Sequence, residues 1–381
     1  MRVLQVVNSF PPTWGKGGPA RVSYEISKEL VKRGHEVTVY TTDINDESNR
    51  LKNYKNPSYI DGIAVYRFKN LNNALAWRNV PVSPGMLFAL SKNIRNFDII
   101  HAHLYRSFQA ILVHYYAKKY NIPYVLQVHG SVPQIIGRKQ MKKIYDKLLG
   151  NSILFDAKKI IALTQSEVEQ FRALGIHDEK IEIVPNGIDL IEYGKLPQKG
   201  YFRKRYSIPE NYKVILYLGR IHKIKGLDLL VKAFSLVSSE MKDIKLVIVG
   251  PDDGYLKELN KLINFIGNDN IILAGPLYGK EKMEAYVDSD LYVLPSSYEA
   301  FPNTVFEAGI CGTPVIVTDR CGISQIVNDK IGYVSKFNEN DLKNTMIRIL
   351  RDNSSKIKIK HEMEKIIGIY NWPYIVKLYE T

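Results

Sequence analysis

Short apolar runs recur along the first half of the chain, separated by longer segments of helical period. Val3-Leu-Gln-Val-Val reads as a buried strand, Ala20 to Arg33 as a helix stopped at Gly34, and Glu36-Val-Thr-Val-Tyr-Thr-Thr as the next strand. Phe97-Asp-Ile-Ile-His, Pro123-Tyr-Val-Leu-Gln-Val-His, Lys159-Ile-Ile-Ala-Leu-Thr and Ile181-Glu-Ile-Val-Pro continue the series, with a helix around Phe108 to Tyr120. Strands alternating with helices predict a doubly wound, mostly parallel α/β sheet. The pattern breaks at Pro185-Asn-Gly-Ile-Asp-Leu and stays polar and irregular to about Pro209.

From about residue 207 the rhythm restarts. Lys213-Val-Ile-Leu-Tyr-Leu-Gly is followed by a helix from about Leu227 to Ser238, then by Lys245-Leu-Val-Ile-Val-Gly, Ile271-Ile-Leu-Ala-Gly, Leu291-Tyr-Val-Leu-Pro and Pro314-Val-Ile-Val-Thr. Two Rossmann-like sheets in tandem are expected, and a cleft between two such domains is a natural ligand site.

Composition places few further limits on this picture. The chain has 381 residues, 45% hydrophobic and 24% charged, which suits a soluble protein of two domains. No apolar run reaches membrane-spanning length and the first residues carry no signal-peptide pattern, so a cytoplasmic location is expected. Cys311 and Cys321 match neither a metal spacing nor a disulfide framework, and both are expected to be structural.

Charge adds more. The net charge is +14, and residues 1–190 carry 26 Lys and Arg against 16 Asp and Glu, the remainder 27 against 23. A cationic first half suggests an anionic partner. Arg138, Lys139, Lys142, Lys143 and Lys147 concentrate the charge, interleaved with Ile135, Ile136, Met141, Ile144, Leu148 and Leu149 at helical spacing. The stretch reads equally as a helix lying on an anionic membrane and as an ordinary amphipathic helix with a solvated basic face. No nucleic-acid recognition motif accompanies it, and nucleic acid is not expected as a partner.

The candidate chemistry lies in the second half. Glu299 and Glu307 bracket Glu-Ala-Phe-Pro-Asn-Thr-Val-Phe-Glu, with one carboxylate on a loop after a strand and the other in the first turns of a helix that Gly312 and Pro314 stop. Two acceptors for hydroxyls beside a helix N-terminus that favours anions suit a ligand combining hydroxyls with phosphate, such as a sugar nucleotide. Arg220 and Lys225, in Gly219-Arg-Ile-His-Lys-Ile-Lys-Gly226, follow another strand directly and form a candidate diphosphate clamp. His129 sits at the carboxyl edge of a parallel-type strand, where such sheets bind ligands. His101 and His103 share that edge without a motif that assigns them a role and are expected to be structural or peripheral.

Taken together, Gly219-Arg220 with Lys225-Gly226, Glu299-Ala-Phe-Pro-Asn-Thr-Val-Phe-Glu307-Ala and Gly312-Thr-Pro-Val-Ile-Val-Thr-Asp resemble the retaining GT-B glycosyltransferases of family 4. Phe10-Pro-Pro-Thr-Trp-Gly-Lys-Gly-Gly-Pro-Ala-Arg-Val is similar to the family's glycine-rich first loop, His129-Gly130 to its active-site histidine and Val184-Pro-Asn-Gly-Ile-Asp to its interdomain segment. The resemblance extends over the whole chain and implies a GT-B fold, two Rossmann-like domains facing a cleft. It divides the chain into an acceptor-binding domain, residues 1–190 plus about 365–381, and a donor-binding domain, residues 191–364. Asn371-Trp372-Pro373 resembles the terminal segment that packs back on the first domain, with Trp372 a packing anchor.

The resemblance also implies residue roles. Glu307 holds the ribose hydroxyls and Glu299 those of the transferred sugar. Backbone N–H groups around Asn303, Thr304 and Val305 meet the diphosphate, with Arg220 and Lys225 closing on it. Gly17 and Gly18 let the first loop approach the donor phosphate and acceptor, and His129 sits by the sugar. The implied reaction is metal-independent and needs no cofactor: a hexosyl group moves with retention from a nucleoside diphosphate sugar, UDP sugars weakly favoured, to a cell-envelope glycan or lipid-linked acceptor. No Asp-x-Asp triplet of the kind a metal-dependent sugar transferase would use is expected in the chain. One departure is Cys321-Gly-Ile-Ser-Gln, where the family commonly has Gly-Gly-Ile-Pro-Glu. A nucleotide-sugar isomerase and a non-catalytic nucleotide-sugar-binding protein on the same fold are the alternatives. A nicotinamide dehydrogenase is disfavoured because Trp14-Gly-Lys-Gly-Gly replaces a Gly-x-Gly-x-x-Gly turn.

Overall fold

A computed structural model describes residues 1–14, 17–77, 80–134, 139–190, 192–328, 330–352 and 355–380. The chain divides into two compact units, one of residues 1–187 and 372–381, the other of residues 188–371.

The first unit is built on eight strands: β1 (Arg2–Val6), β2 (Glu36–Thr42), β3 (Ser58–Ile60), β4 (Ile63–Phe68), β5 (Ile99–His103), β6 (Tyr124–Gln127), β7 (Lys159–Ala162) and β8 (Ile181–Ile183). They lie in the order β3-β4-β2-β1-β5-β6-β7-β8, parallel except at β3–β4. Both faces of the sheet are covered, and alternate side chains of β1 enter different cores. Leu4 and Val6 pack with Ile100, Leu126 and Val113. Val3 and Val7 pack with Val22, Ile26, Trp372 and Ile375.

The first helix runs Gly18–Lys32 and so begins two residues before the expected Ala20. Pro19 accounts for the earlier start, because its fixed φ suits a first helical turn and its missing N–H costs nothing there. The edge strand β3 and its neighbour β4 have no counterpart among the sequence expectations; β3 has three residues and buries none fully, and β4 buries only alternate side chains.

The second unit has six strands, β9 (Lys213–Leu218), β10 (Ile244–Val249), β11 (Ile271–Gly275), β12 (Leu291–Leu294), β13 (Val315–Thr318) and β14 (Gly332–Ser335). They form an all-parallel sheet in the order β11-β10-β9-β12-β13-β14. β9 is apolar and buried from its second residue because helices cover both its faces. The helix after it, Leu227–Glu240, buries Leu227, Leu230, Phe234 and Val237 on one side.

In each sheet the chain leaves a central strand in opposite directions. The strand order reverses between β1 and β5 in the first sheet and between β9 and β12 in the second. The loops at the carboxyl ends of these pairs therefore diverge, opening the crevice in which doubly wound sheets bind ligands.

The last helix, Trp372–Lys377, returns to the first unit and packs Trp372, Ile375 and Val376 into its core. Trp372 lies so close to Gly187 that a Cβ there would sit 2.4 Å from the indole. Arg33 and His35 hold Glu380 beyond it, each at 2.8 Å. Trp372→Ala should cost about 3–5 kcal/mol and lower the urea midpoint of the first unit; an unchanged midpoint would show that the segment is only loosely attached.

Candidate functional site

The second unit's crevice is made by two loops that cross. The chain leaves β9 through Gly219 and turns back at Gly226 (φ +65°), where a Cβ would lie 2.0 Å from the Pro295 carbonyl oxygen at the end of β12. Only glycine permits that approach. Ser297 N–H donates to the Ile224 carbonyl at 2.8 Å, and the Ser297 hydroxyl to the same oxygen at 3.0 Å. Across this junction Lys225 Nζ forms an ion pair with Glu299, with both side chains largely buried. Ser296 Oγ donates to the same carboxylate oxygen at 2.9 Å. The Glu299 carbonyl accepts from Gly322 N–H at 2.8 Å, so the segment departing from the family pattern supports the glutamate loop through its backbone.

Glu307 occupies a second pocket of charge. The helix Asn303–Ile310 places it about one turn in, and its carboxylate meets Lys282 Nζ at 3.2 Å and the Tyr286 hydroxyl at 3.0 Å. Lys282 also reaches Glu192 at 3.3 Å, so one buried cation holds two carboxylates. Neither Lys282 nor Tyr286 was legible as a site residue, because both come from the helix Gly279–Val287, which no spacing links to the glutamates.

At the start of the Asn303 helix, Val305 N–H donates to the Pro302 carbonyl at 3.2 Å. Of the N–H groups around Asn303, Thr304 and Val305, that of Val305 thus closes the first turn on Pro302, and those of Asn303 and Thr304 have no acceptor among the described residues. The Tyr292 hydroxyl bridges Thr304 Oγ1 at 2.8 Å and the Leu218 carbonyl at 3.2 Å, fixing the helix start to the end of β9. Arg220 does not join Lys225. Its guanidinium pairs with Asp253, an exposed contact of small energetic weight.

The spacing Asp288-Ser-Asp290 does occur, and its carboxylates are spent on structure. Asp288 accepts N–H groups of Gly200, Phe202 and Arg203 at 2.6, 2.8 and 3.1 Å, and Asp290 pairs with Arg203 at 2.9 Å. Among the described residues no group of three or more His, Cys, Asp and Glu could hold a metal ion. Burial pushes the Cys311 and Cys321 thiols up to about 12, which leaves both unreactive.

In the first unit, His129 follows β6 in left-handed backbone (φ +51°), a conformation rare outside glycine and concentrated at functional sites. Its Nε2 lies 2.8 Å from His103 Nδ1, and His103 Nε2 lies 2.8 Å from Gln5 Oε1. His103 is thus buried against the candidate residue instead of peripheral to it. Burial, with the neighbouring His101, lowers the His129 pKa to about 3, so the ring is neutral at pH 7. The next peptide is fixed by Glu167, whose carboxylate accepts Gly130 N–H at 2.6 Å and Leu163 N–H at 2.7 Å. Gly17 needs its φ of +77°, whereas Gly18 has ordinary helical backbone and open space around a would-be Cβ, so the fold itself makes no demand for glycine there.

In the basic segment, Arg138 lies outside the described residues. The helix Lys139–Tyr145 packs Tyr145, half-buried, against the first unit's core, the Tyr145 hydroxyl donating to the Tyr105 carbonyl at 2.8 Å, and fully buries no side chain. Met141, Ile144 and Leu148 are 61%, 58% and 69% exposed, and Lys139, Lys143 and Lys147 are exposed beside them, with Lys142 half-buried. An ordinary amphipathic helix would bury its apolar positions. Among the described residues no helix is long and apolar enough to cross a membrane.

Comparison with known proteins agrees with this architecture. Residues 16–192 match the family Glycosyltransferase Family 4, and residues 198–366 match Glycosyl transferases group 1. The D-inositol 3-phosphate glycosyltransferase of Kineococcus radiotolerans is 25% identical over 346 residues, 84% of this chain and 77% of that protein. The N-acetyl-alpha-D-glucosaminyl L-malate synthase of Bacillus anthracis is 26% identical, covering 96% of this chain and 93% of its own. Among solved structures, a sucrose-phosphate synthase from Thermosynechococcus elongatus superposes with a TM-score of 0.81 at 18% identity, covering 100% of this chain and 98% of that one. Anabaena HepE in complex with UDP-glucose gives 0.76 at 18% identity and the same coverage. The two Rossmann-like units are those of the GT-B fold.

Glu167 yields a test of the first unit's site. Burial raises its pKa to about 6, above the unfolded value near 4.5, so the folded state binds the proton more tightly and stability falls as pH rises between these values. Relative to Glu167→Gln, the wild-type unfolding free energy should drop by about 2 kcal/mol from pH 4.5 to 7; parallel pH profiles would contradict this.

Proposed function

The chain belongs to the group 1 glycosyltransferases of family 4, and on that premise we propose that it transfers a hexosyl group, with retention, from a nucleoside diphosphate sugar to a cell-envelope glycan or lipid-linked acceptor. The observation that carries the reading is the Lys225–Glu299 pair across the β9/β12 crevice, beside a helix start with two free N–H groups. A cation, a carboxylate and oriented N–H groups at one switch point match a ligand that joins phosphate to hydroxyls.

In this reading the second domain binds the donor. Glu307, held by Lys282 and Tyr286, accepts the ribose hydroxyls. Glu299 accepts a hydroxyl of the transferred sugar while keeping Lys225 as its countercharge. The Asn303 and Thr304 N–H groups take phosphate oxygens. Lys225 has three donors, so it can stay on Glu299 and still donate to the diphosphate. Arg220 exchanges Asp253 for phosphate at little cost, because its present pair is exposed.

As the anomeric C–O bond breaks, negative charge grows on the leaving diphosphate, where the two cations and the N–H groups stabilise it. The acceptor oxygen bonds to the anomeric carbon on the same face, and its proton passes to the departing phosphate oxygen. Neither glutamate is asked to be an acid or base, and no metal is needed to neutralise the leaving group. Neutral His129 beside the sugar tolerates the positive charge that develops at the anomeric carbon. The first domain takes the acceptor, with Gly17 and Gly18 giving it room. UDP is the favoured nucleotide, since the Anabaena neighbour binds UDP-glucose on the same fold.

The exposed Lys139–Leu149 stretch supports a peripheral position on an anionic membrane, apolar side chains entering the headgroup boundary while lysines meet acidic lipid.

Three outcomes are expected. Glu307→Gln should weaken UDP-sugar affinity by about tenfold or more, or about 1.4 kcal/mol, in calorimetry; wild-type affinity would refute its role. Lys225→Ala should lower turnover by at least about tenfold, and unchanged turnover would remove Lys225 from the clamp. Replacing Lys139, Lys142, Lys143 and Lys147 by Gln should reduce sedimentation with phosphatidylserine vesicles, each lysine being worth about 1 kcal/mol near such a surface. Equal sedimentation would leave only a solvated basic face.

A further inference from the structure

One face of the first unit's sheet carries a chain of polar side chains to which the proposed chemistry gives no part. Strand alternation sends Leu4, Val6, Ile100, Ala102 and Leu126 to the opposite core. Gln5, His101, His103 and Gln127 therefore share the other face, at the carboxyl edge of β1, β5 and β6 where the strand order reverses. His103 is 1% exposed, and its ring lies edge to edge with that of His129, the planes within 15° and the centroids 5.1 Å apart. His101 lies 4.3 Å from His103, centroid to centroid, and the Tyr379 hydroxyl from the terminal segment reaches Gln127 Oε1 at 3.1 Å.

The hydrogen bonds have a direction. With the Gln5 amide turned so that its oxygen faces His103, that oxygen can only accept, and the proton in the 2.8 Å contact belongs to His103 Nε2. A neutral His103 then has a lone pair at Nδ1. The proton in its 2.8 Å contact with His129 must therefore be carried by His129 Nε2. His129 Nδ1, which makes no hydrogen bond among the described residues, keeps its lone pair. Burial holds the His103 pKa well below the ordinary value, in keeping with a neutral ring.

We propose that Gln5 and His103 are positioning residues that fix the proton on His129 Nε2, so that His129 presents Nδ1 as a neutral hydrogen-bond acceptor. The ring is then held by His103, and the peptide after it by the Glu167 carboxylate on Gly130 N–H. A histidine locked in one tautomer and one orientation meets a substrate hydroxyl without reorganising. That last consequence rests on the transferase function proposed above; the proton's location does not.

The test is nuclear magnetic resonance of the full chain carrying ¹⁵N-histidine, with His129→Gln identifying the His129 signals. The bridging proton should show its one-bond coupling to His129 Nε2 and a smaller coupling across the hydrogen bond to His103 Nδ1. His103→Leu should abolish the second coupling and expose the His129 N–H to rapid solvent exchange. His103→Asn, whose amide oxygen can accept in place of Nδ1, should restore protection. Gln5→Met, leaving His103 Nε2–H without its acceptor, should let the bridging proton divide between the two rings. A proton carried by His103 Nδ1 in the wild type, or an His129 N–H equally protected in His103→Leu, overturns the proposal. Because no nucleotide sugar is added, failure of the transferase reading would leave these couplings in place.

Discussion

The contact between Gly226 and the Pro295 carbonyl oxygen is the constraint on which the second domain's site depends. With no Cβ at Gly226, the loop after β9 lies directly on the end of β12, and Ser297 hydrogen-bonds to Ile224 across the join. That closeness lets Lys225 reach Glu299 although 73 residues intervene between them in sequence. Gly250, at the end of β10, has a similar constraint, since a Cβ there would lie 1.8 Å from the Gly219 carbonyl oxygen. Close approach of backbone to backbone thus sets where the charges stand. The charges are then available to a ligand because the sheet order diverges at the same point.

The candidate groups of both domains lie at such a point, gathered by different means. In the second, opposite charges and a helix start are gathered on crossed loops. In the first, the carboxyl ends of β1, β5 and β6 bring uncharged polar groups together under cover of the C-terminal segment, and burial keeps the histidines neutral. This division suits a reaction in which a leaving diphosphate needs cations while the sugar, becoming positive at its anomeric carbon, needs none nearby. The Lys282 bridge adds a link within the second domain. By joining Glu192 to Glu307 it ties the segment that enters the domain to the residue assigned to the ribose.

Much of this was legible in the residues. The central strands announce themselves as continuous apolar runs because helices bury both faces, whereas β3, at the sheet edge, fully buries no side chain and β4, beside it, buries only alternate ones, so neither forms such a run. Glu299, Glu307 and Lys225 stood out through their order and spacing at strand-to-helix junctions, and their roles are those proposed. Lys282, Tyr286 and Tyr292 did not, since their roles arise from packing between elements distant in the chain. His103 looked structural or peripheral because a buried histidine on a strand is ordinary; only the sheet register brings it to His129 and Gln5. The pairing of Arg220 with Asp253 likewise depends on the close approach of two loops at Gly250 and Gly219. The early closing of the helix start on Pro302 is a detail of local geometry that composition does not reveal.

The central claim is that the β9/β12 crevice binds a nucleoside diphosphate through protein cations and helix N–H groups alone. Isothermal titration calorimetry of the full chain with UDP, GDP and ADP, each in excess EDTA, measures this directly. The account predicts one-to-one binding of at least one of the three, unchanged when magnesium or manganese replaces the chelator. Binding that appears only with the metal, or no binding of any of the three, would contradict it.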